Sequence, residues 1–188
     1  MRWEQLFADL AAQAEAGEAR EEEAEAGSRA RAEHGRLQLA DRLRGAVGAP
    51  VVVGCRGVGD LRGRLADVGA DWLLLVDDQQ REVLVATAAV RTVAGLTGAT
   101  VAGPDGVVAR RLDLRRALRG LARDRAPVQV LLDDGAVVRG TVDRVGADFV
   151  EVAEHAADLP RRAGAVTGVR AVALAAVAAV RRLAPPAG

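Results

Sequence analysis

The sequence predicts a mainly β protein with helices: an N-terminal α-helical arm followed by two tandem small closed β-barrels, each built from one helix and five short strands. Three observations predict this. One segment occurs twice at an offset of 77 residues. Each copy alternates apolar and polar residues with period two between Gly-bearing turns. Half of the chain is hydrophobic but only 2% is aromatic, so the core must be packed from Val, Leu and Ala. At 188 residues two domains would each be small. The expected division is an acidic helical arm at 1–35, a first barrel at 36–96, a linker at 97–109, a second barrel at 110–183 and a tail at 184–188.

The arm comes first. Trp3, Phe7 and Leu10 fall at i, i+4, i+7, one face of a helix, and hold two of the chain's four aromatic residues. A free tail gains nothing from such residues, so they are a candidate protein interface. Beyond Leu10 the apolar residues are mostly Ala, and Glu18, Glu21, Glu22, Glu23 and Glu25 make an acidic run. Residues 1–35 carry four Arg against nine acids, a net of −5, which leaves +5 on the rest of a chain that is neutral as a whole. Charge runs usually form a solvated face. Gly17, Gly27 and Gly35 each cost a helix roughly 1 kcal/mol relative to Ala.

The repeat aligns PVVVGCRGVGDLRGRLADVGADWLLLV from Pro50 with PVQVLLDDGAVVRGTVDRVGADFVEVA from Pro127. Arg62-Gly63 meets Arg139-Gly140, and Val68-Gly69-Ala70-Asp71 meets Val145-Gly146-Ala147-Asp148. Trp72 meets Phe149. A second block, Val85–Val93 against Val172–Val180, follows after a ten-residue insertion, and LQLADRLRG from Leu37 and LDLRRALRG from Leu112 precede the two units. Within the first unit, Leu37, Leu39 and Leu43 suit a short amphipathic helix closed by Gly45 and Gly48. Strands are expected at Val51–Cys55, Leu61–Asp67, Trp72–Val76, Glu82–Ala86 and Ala89–Val93. Leu61, Gly63 and Leu65 point inward in the second strand, as do Val138, Gly140 and Val142 in its copy, with Arg139 and Thr141 outward. Glycine at an inward position of both copies indicates a sharp bend or close strand approach.

This order of elements, with a strand of the form h-R-G-x-h and a later h-x-x-A-h-x-x-h, resembles the Sm-like fold of the Sm, LSm and Hfq proteins over residues 36–96 and 110–183. The resemblance implies small barrels that associate edge to edge. It departs from the RNA-binding members at the positions that contact bases: Gly69 and Gly146 stand where an Asp is usual, Leu73 and Val150 where an Asn is usual, and Ala and Thr around Ala86–Ala88 where an Arg-Gly is usual. The chain has no Lys, Asn, Ile or Tyr, a bias of GC-rich genomes, and the start MRWEQLFADL with this layout resembles actinobacterial proteins.

Catalytic residues are sparse, and the sequence predicts no enzyme, metal or cofactor. His34 lies in the charged arm. His155 sits beside Glu154 with Asp158 near, a weak metal or acid–base set. Cys55, the single cysteine, excludes an internal disulfide and ends an apolar strand. Ser28 has no triad context, and no P-loop follows Gly54–Gly59. The second helix is richer. Arg115, Arg116, Arg119 and Arg123 line one edge opposite the Leu114, Leu118 and Leu121 stripe, a face for nucleic-acid phosphates or for an acidic protein. Leu74, a neighbour of Leu73, Leu75 and Trp72, must be covered by the other repeat or by a second chain. The function that follows is a scaffold or interaction module that self-associates as a dimer or ring or binds another protein; the alternative is an RNA- or DNA-binding regulator using the arginine face. With no apolar run of spanning length and an acidic start, the expected setting is the cytoplasm, without a membrane partner.

Overall fold

The computed structural model describes residues 17, 23–28, 31–32, 34–102, 113–155 and 166–183. The chain divides into two units, Met1–Gln38 and Leu39–Gly188. In the first, residues 23–28, 31–32 and 34 are helical, and all but Gly27 are exposed. That is how a stretch whose apolar residues are nearly all Ala should behave. Trp3, Phe7 and Leu10 lie outside the described residues.

The second unit is mainly β. Helix α1 (Leu39–Gly45) precedes β1 (Pro50–Cys55), β2 (Gly59–Val68), β3 (Trp72–Val76), β4 (Glu82–Ala86) and, after a single 3-10 turn (Thr87–Ala89), β5 (Val90–Ala94). Helix α2 (Leu114–Asp124) precedes β6 (Pro127–Leu132), β7 (Val137–Val145), β8 (Phe149–Glu154), β9 (Gly168–Ala173), a second 3-10 turn (Leu174–Ala176) and β10 (Val177–Arg182). Both repeats thus build the same elements in the same order.

The expectation of two closed barrels is overturned. All ten strands join one continuous antiparallel sheet in the order β5-β1-β2-β3-β4-β10-β6-β7-β8-β9, which stays open at β5 and β9. The cause is local. The 3-10 turn Thr87–Ala89 carries the chain out of β4, and β5 then pairs with β1 rather than with β4. The outer edge of β4 is left unpaired within its own repeat. β10 of the other repeat takes that edge, with Val83, Leu84 and Val85 opposite Arg181, Val180 and Ala179. The Sm-like barrels implied by the resemblance are therefore replaced by a single sheet that runs through both repeats.

Two apolar clusters fill the interior, and each crosses the repeat boundary. One gathers Leu114, Leu118, Val128, Val130, Val142 and Val152 with Leu84 and Ala86 of the first repeat. The other gathers Leu43, Val53, Leu65, Leu73 and Leu75 with Ala179 of the second. Leu61 and Leu65 are buried and Arg62 and Arg64 exposed, as the alternation predicts. Gly63 and Gly140 explain themselves: a Cβ on Gly63 would lie 2.7 Å from the Val76 carbonyl oxygen, and one on Gly140 would collide with the Ala153 carbonyl. Three side chains depart from the sequence pattern, one in a strand and two at the first helix. Thr141 is buried rather than outward, because it faces Ala153 and its hydroxyl pairs with His155 Nε2 at 2.8 Å. Leu37 and Leu39 are exposed, leaving Leu43 as the buried residue of α1.

Candidate functional site

The repeated Val-Gly-Ala-Asp turn organises the junction between the repeats. Gly69 N–H donates to the Trp72 carbonyl at 2.9 Å, and the indole ring lies where a Cβ on Gly69 would have to go. Gly146 does the same for the Phe149 ring. The glycine therefore lets the aromatic side chain fold back over its own turn. The next acidic residue is placed by its backbone: the Asp71 carbonyl accepts from Thr87 N at 2.9 Å, and the Asp148 carbonyl from Leu174 N at 2.8 Å.

From that position Asp71 reaches the other repeat. Its Oδ1 accepts a 2.6 Å hydrogen bond from Leu114 N, the first residue of α2. Asp113 caps the same end, accepting from Arg116 N at 2.9 Å. Two carboxylates thus occupy a helix N-terminus, where the unpaired N–H groups and the helix dipole favour negative charge. Burial tends to raise the Asp113 carboxyl, but donation from Arg116 N and the Arg115 guanidinium outweighs it, and the group is held below the usual carboxylate range. Trp72 and Leu74 pack, half-buried, on the cluster that contains Leu114 and Leu118. The cover that Leu74 requires is the second repeat. At the tips of the β1–β2 and β6–β7 hairpins, Arg56 pairs with Asp133 at 3.1 Å.

The same parts recur at the open ends of the sheet. Leu39 corresponds to Leu114 and is 44% exposed, against 7% for Leu114. Phe149 corresponds to Trp72 and is 38% exposed. Asp148 corresponds to Asp71, and among the described residues its exposed carboxylate has no hydrogen bond or ion pair. β9 corresponds to β4 and β5 to β10, and neither β5 nor β9 has a second strand neighbour among the described residues.

The arginine helix is the other candidate. Leu114 and Leu118 are buried, while Arg115, Arg116, Arg119 and Arg123 are all exposed. Arg115 pairs with Asp113 at 2.8 Å. Among the described residues, Arg116, Arg119 and Arg123 have no salt bridge.

The titratable candidates from the sequence do not converge. Cys55 is buried, and burial, followed by the charge of Asp60, pushes its thiol up to about 11. His155 is buried against Thr141, and its neighbour Glu154 is paired with Arg170 at 2.6 Å. Asp158 is outside the described residues. His34 and Ser28 are exposed in the helical segment. No group of three His, Cys, Asp or Glu among the described residues could hold a metal ion. No described helix is long and apolar enough to cross a membrane.

The sequence reading missed Asp71. Its signal was present in the duplicated Gly-Ala-Asp-aromatic turn, which needs a shared physical reason in both copies. Compared with known proteins, the chain matches no family model and no curated relative.

Proposed function

We propose that this chain is a non-enzymatic scaffold or interaction module that self-associates head to tail, acting in the cytoplasm. One observation carries the reading: the β4–β10 junction is made from repeat positions whose counterparts stand unused at β9 and β5. In a second copy placed on the β9 edge, Val172, Ala171 and Arg170 would face Thr92, Val93 and Ala94, the counterparts of the Val85–Ala179, Leu84–Val180 and Val83–Arg181 pairs. Asp148 would cap α1 of that copy at Leu39, and Phe149 would cover it. The hairpin tips also fit, since each junction of this kind sets a residue-56 Arg against a residue-133 Asp. An open strand edge with apolar neighbours is a template for another strand.

Size-exclusion chromatography with light scattering tests this. The wild-type chain should elute as a multimer. Ala171→Pro, which removes a backbone donor at the β9 edge, and Leu39→Glu should each yield monomer without loss of fold. A wild-type monomer at high protein concentration overturns the proposal.

A second reading is favoured by the exposure of Arg115, Arg116, Arg119 and Arg123 along one helix. As a regulator the chain would bind RNA or DNA phosphates through this face, with weak sequence preference and steep loss in salt. Few aromatic residues are available for base stacking, which weighs for the scaffold. A gel shift at low and physiological salt separates the two: the scaffold reading expects no shift even at low salt. A shift abolished by replacing the four arginines with Ala establishes the second reading.

A further inference from the structure

The first repeat carries a cleft of about 750 Å³ that opens between β1, β2, the β3–β4 hairpin and β10. Four arginines and three aspartates line it. Most of these charges are already matched. Asp77 accepts from the backbone N–H groups of Gln79 and Arg81, each at 2.9 Å, and from Arg81 Nε at 2.8 Å. Arg62 lies 3.8 Å from Asp60. Arg64, Arg181 and the exposed Asp78 remain. Among the described residues the Arg64 and Arg181 side chains have no hydrogen bond or ion pair.

Arg181 is the unusual one. It faces Val83 across the β4–β10 junction, and its Nε is buried without a partner. The buried Nε atoms of Arg42 and Arg44 are also unpaired, but those guanidinium groups are engaged through another nitrogen, to the Thr97 carbonyl and to Asp41. Burying part of a cation with no partner is costly. The guanidinium geometry suits a phosphate, which it can meet with two donors at once.

The second repeat shows that the fold does not require this opening. There Thr141 stands in place of Arg64 and His155 in place of Asp78, and the two are buried and hydrogen-bonded to each other at 2.8 Å. A buried, hydrogen-bonded pair occupies the position that two exposed residues of opposite charge hold in the first repeat. Arg181 likewise has Ala94 as its counterpart in β5. Among the described residues, the charged positions Arg64, Asp78 and Arg181 of the cleft thus have uncharged or buried counterparts at Thr141, His155 and Ala94.

We infer that this cleft binds a small phosphate-bearing ligand, with Arg64 and Arg181 holding the phosphate. The inference is independent of self-association. Isothermal titration of the full chain with inorganic phosphate and with pyrophosphate at low salt tests it. Saturable binding is expected for at least one of the two. Arg64→Met and Arg181→Met should each weaken it about tenfold or more, the scale of losing one charged hydrogen bond. Arg139→Met, on the matching strand of the second repeat, should leave it unchanged. Arg64 is exposed, so its variant keeps the test decisive even where Arg181→Met impairs folding. No saturable binding, or an equal loss in Arg139→Met, overturns the inference.

Discussion

At the scale of single residues, the carboxylates at the start of α2 do more than its hydrophobic stripe alone could. Asp113 accepts from Arg116 N and pairs with Arg115, and Asp71 arrives from the other repeat to take Leu114 N. Asp113→Ala should cost about 1 kcal/mol at neutral pH, the usual worth of an N-cap. The sign of its pH dependence follows from the depressed folded-state value. The contribution is fully present above the ordinary carboxylate value and is lost as pH falls through the lower folded value. Urea unfolding of wild type and variant should therefore differ at pH 7 and converge in strong acid. A gap that stays constant with pH would mean that Asp113 acts through packing and not through charge.

At the scale of elements, the glycines of β2 and β7 were legible from the sequence, and the consequence drawn from them was half right. Gly63 and Gly140 do permit close strand approach, to the carbonyls of Val76 and Ala153. They do not lead to closure, because closure depends on where β5 and β10 pair, and no alternation pattern encodes that choice. The strand positions were likewise readable: β3 and β4 begin and end at Trp72–Val76 and Glu82–Ala86, where turns and period two place them. Thr141 was misplaced because a period-two rule cannot anticipate a buried polar partner such as His155. Gly140→Ala should destabilise by about 1–3 kcal/mol, the range for overpacking, since the colliding atom is backbone and cannot turn away. Gly146→Ala meets only the edge of the Phe149 ring, which can swing outward from a half-exposed site, so its loss should be smaller. Denaturant midpoints of the two variants order these effects.

At the scale of the whole molecule, the separation of charge and of apolar side chains sets the remaining question. Residues 1–35 carry −5 and the rest +5, and in the sequence of that acidic segment Trp3, Phe7 and Leu10 are spaced i, i+4, i+7. The Arg helix, the open edges and the exposed Leu39 and Phe149 all belong to the other unit. The candidate site was legible in part: Leu74 and the four arginines could be read from spacing, whereas the unpaired edges emerged only from the strand order. Burying a large apolar side chain is worth roughly 1.5–3 kcal/mol, so a face of three such residues is a substantial adhesive. Deleting residues 1–12 removes that face and leaves the acidic run Glu18–Glu25 intact. The truncated chain should melt lower or elute with fewer copies than the full chain. Raising salt should not reproduce the effect, because the contacts removed are apolar and salt screens charge. If the truncated chain melts and elutes like the full one, Trp3, Phe7 and Leu10 are not an interface and the segment is a tail. If salt alone matches the deletion, the acidic run meeting the arginines, rather than the apolar face, holds the arm.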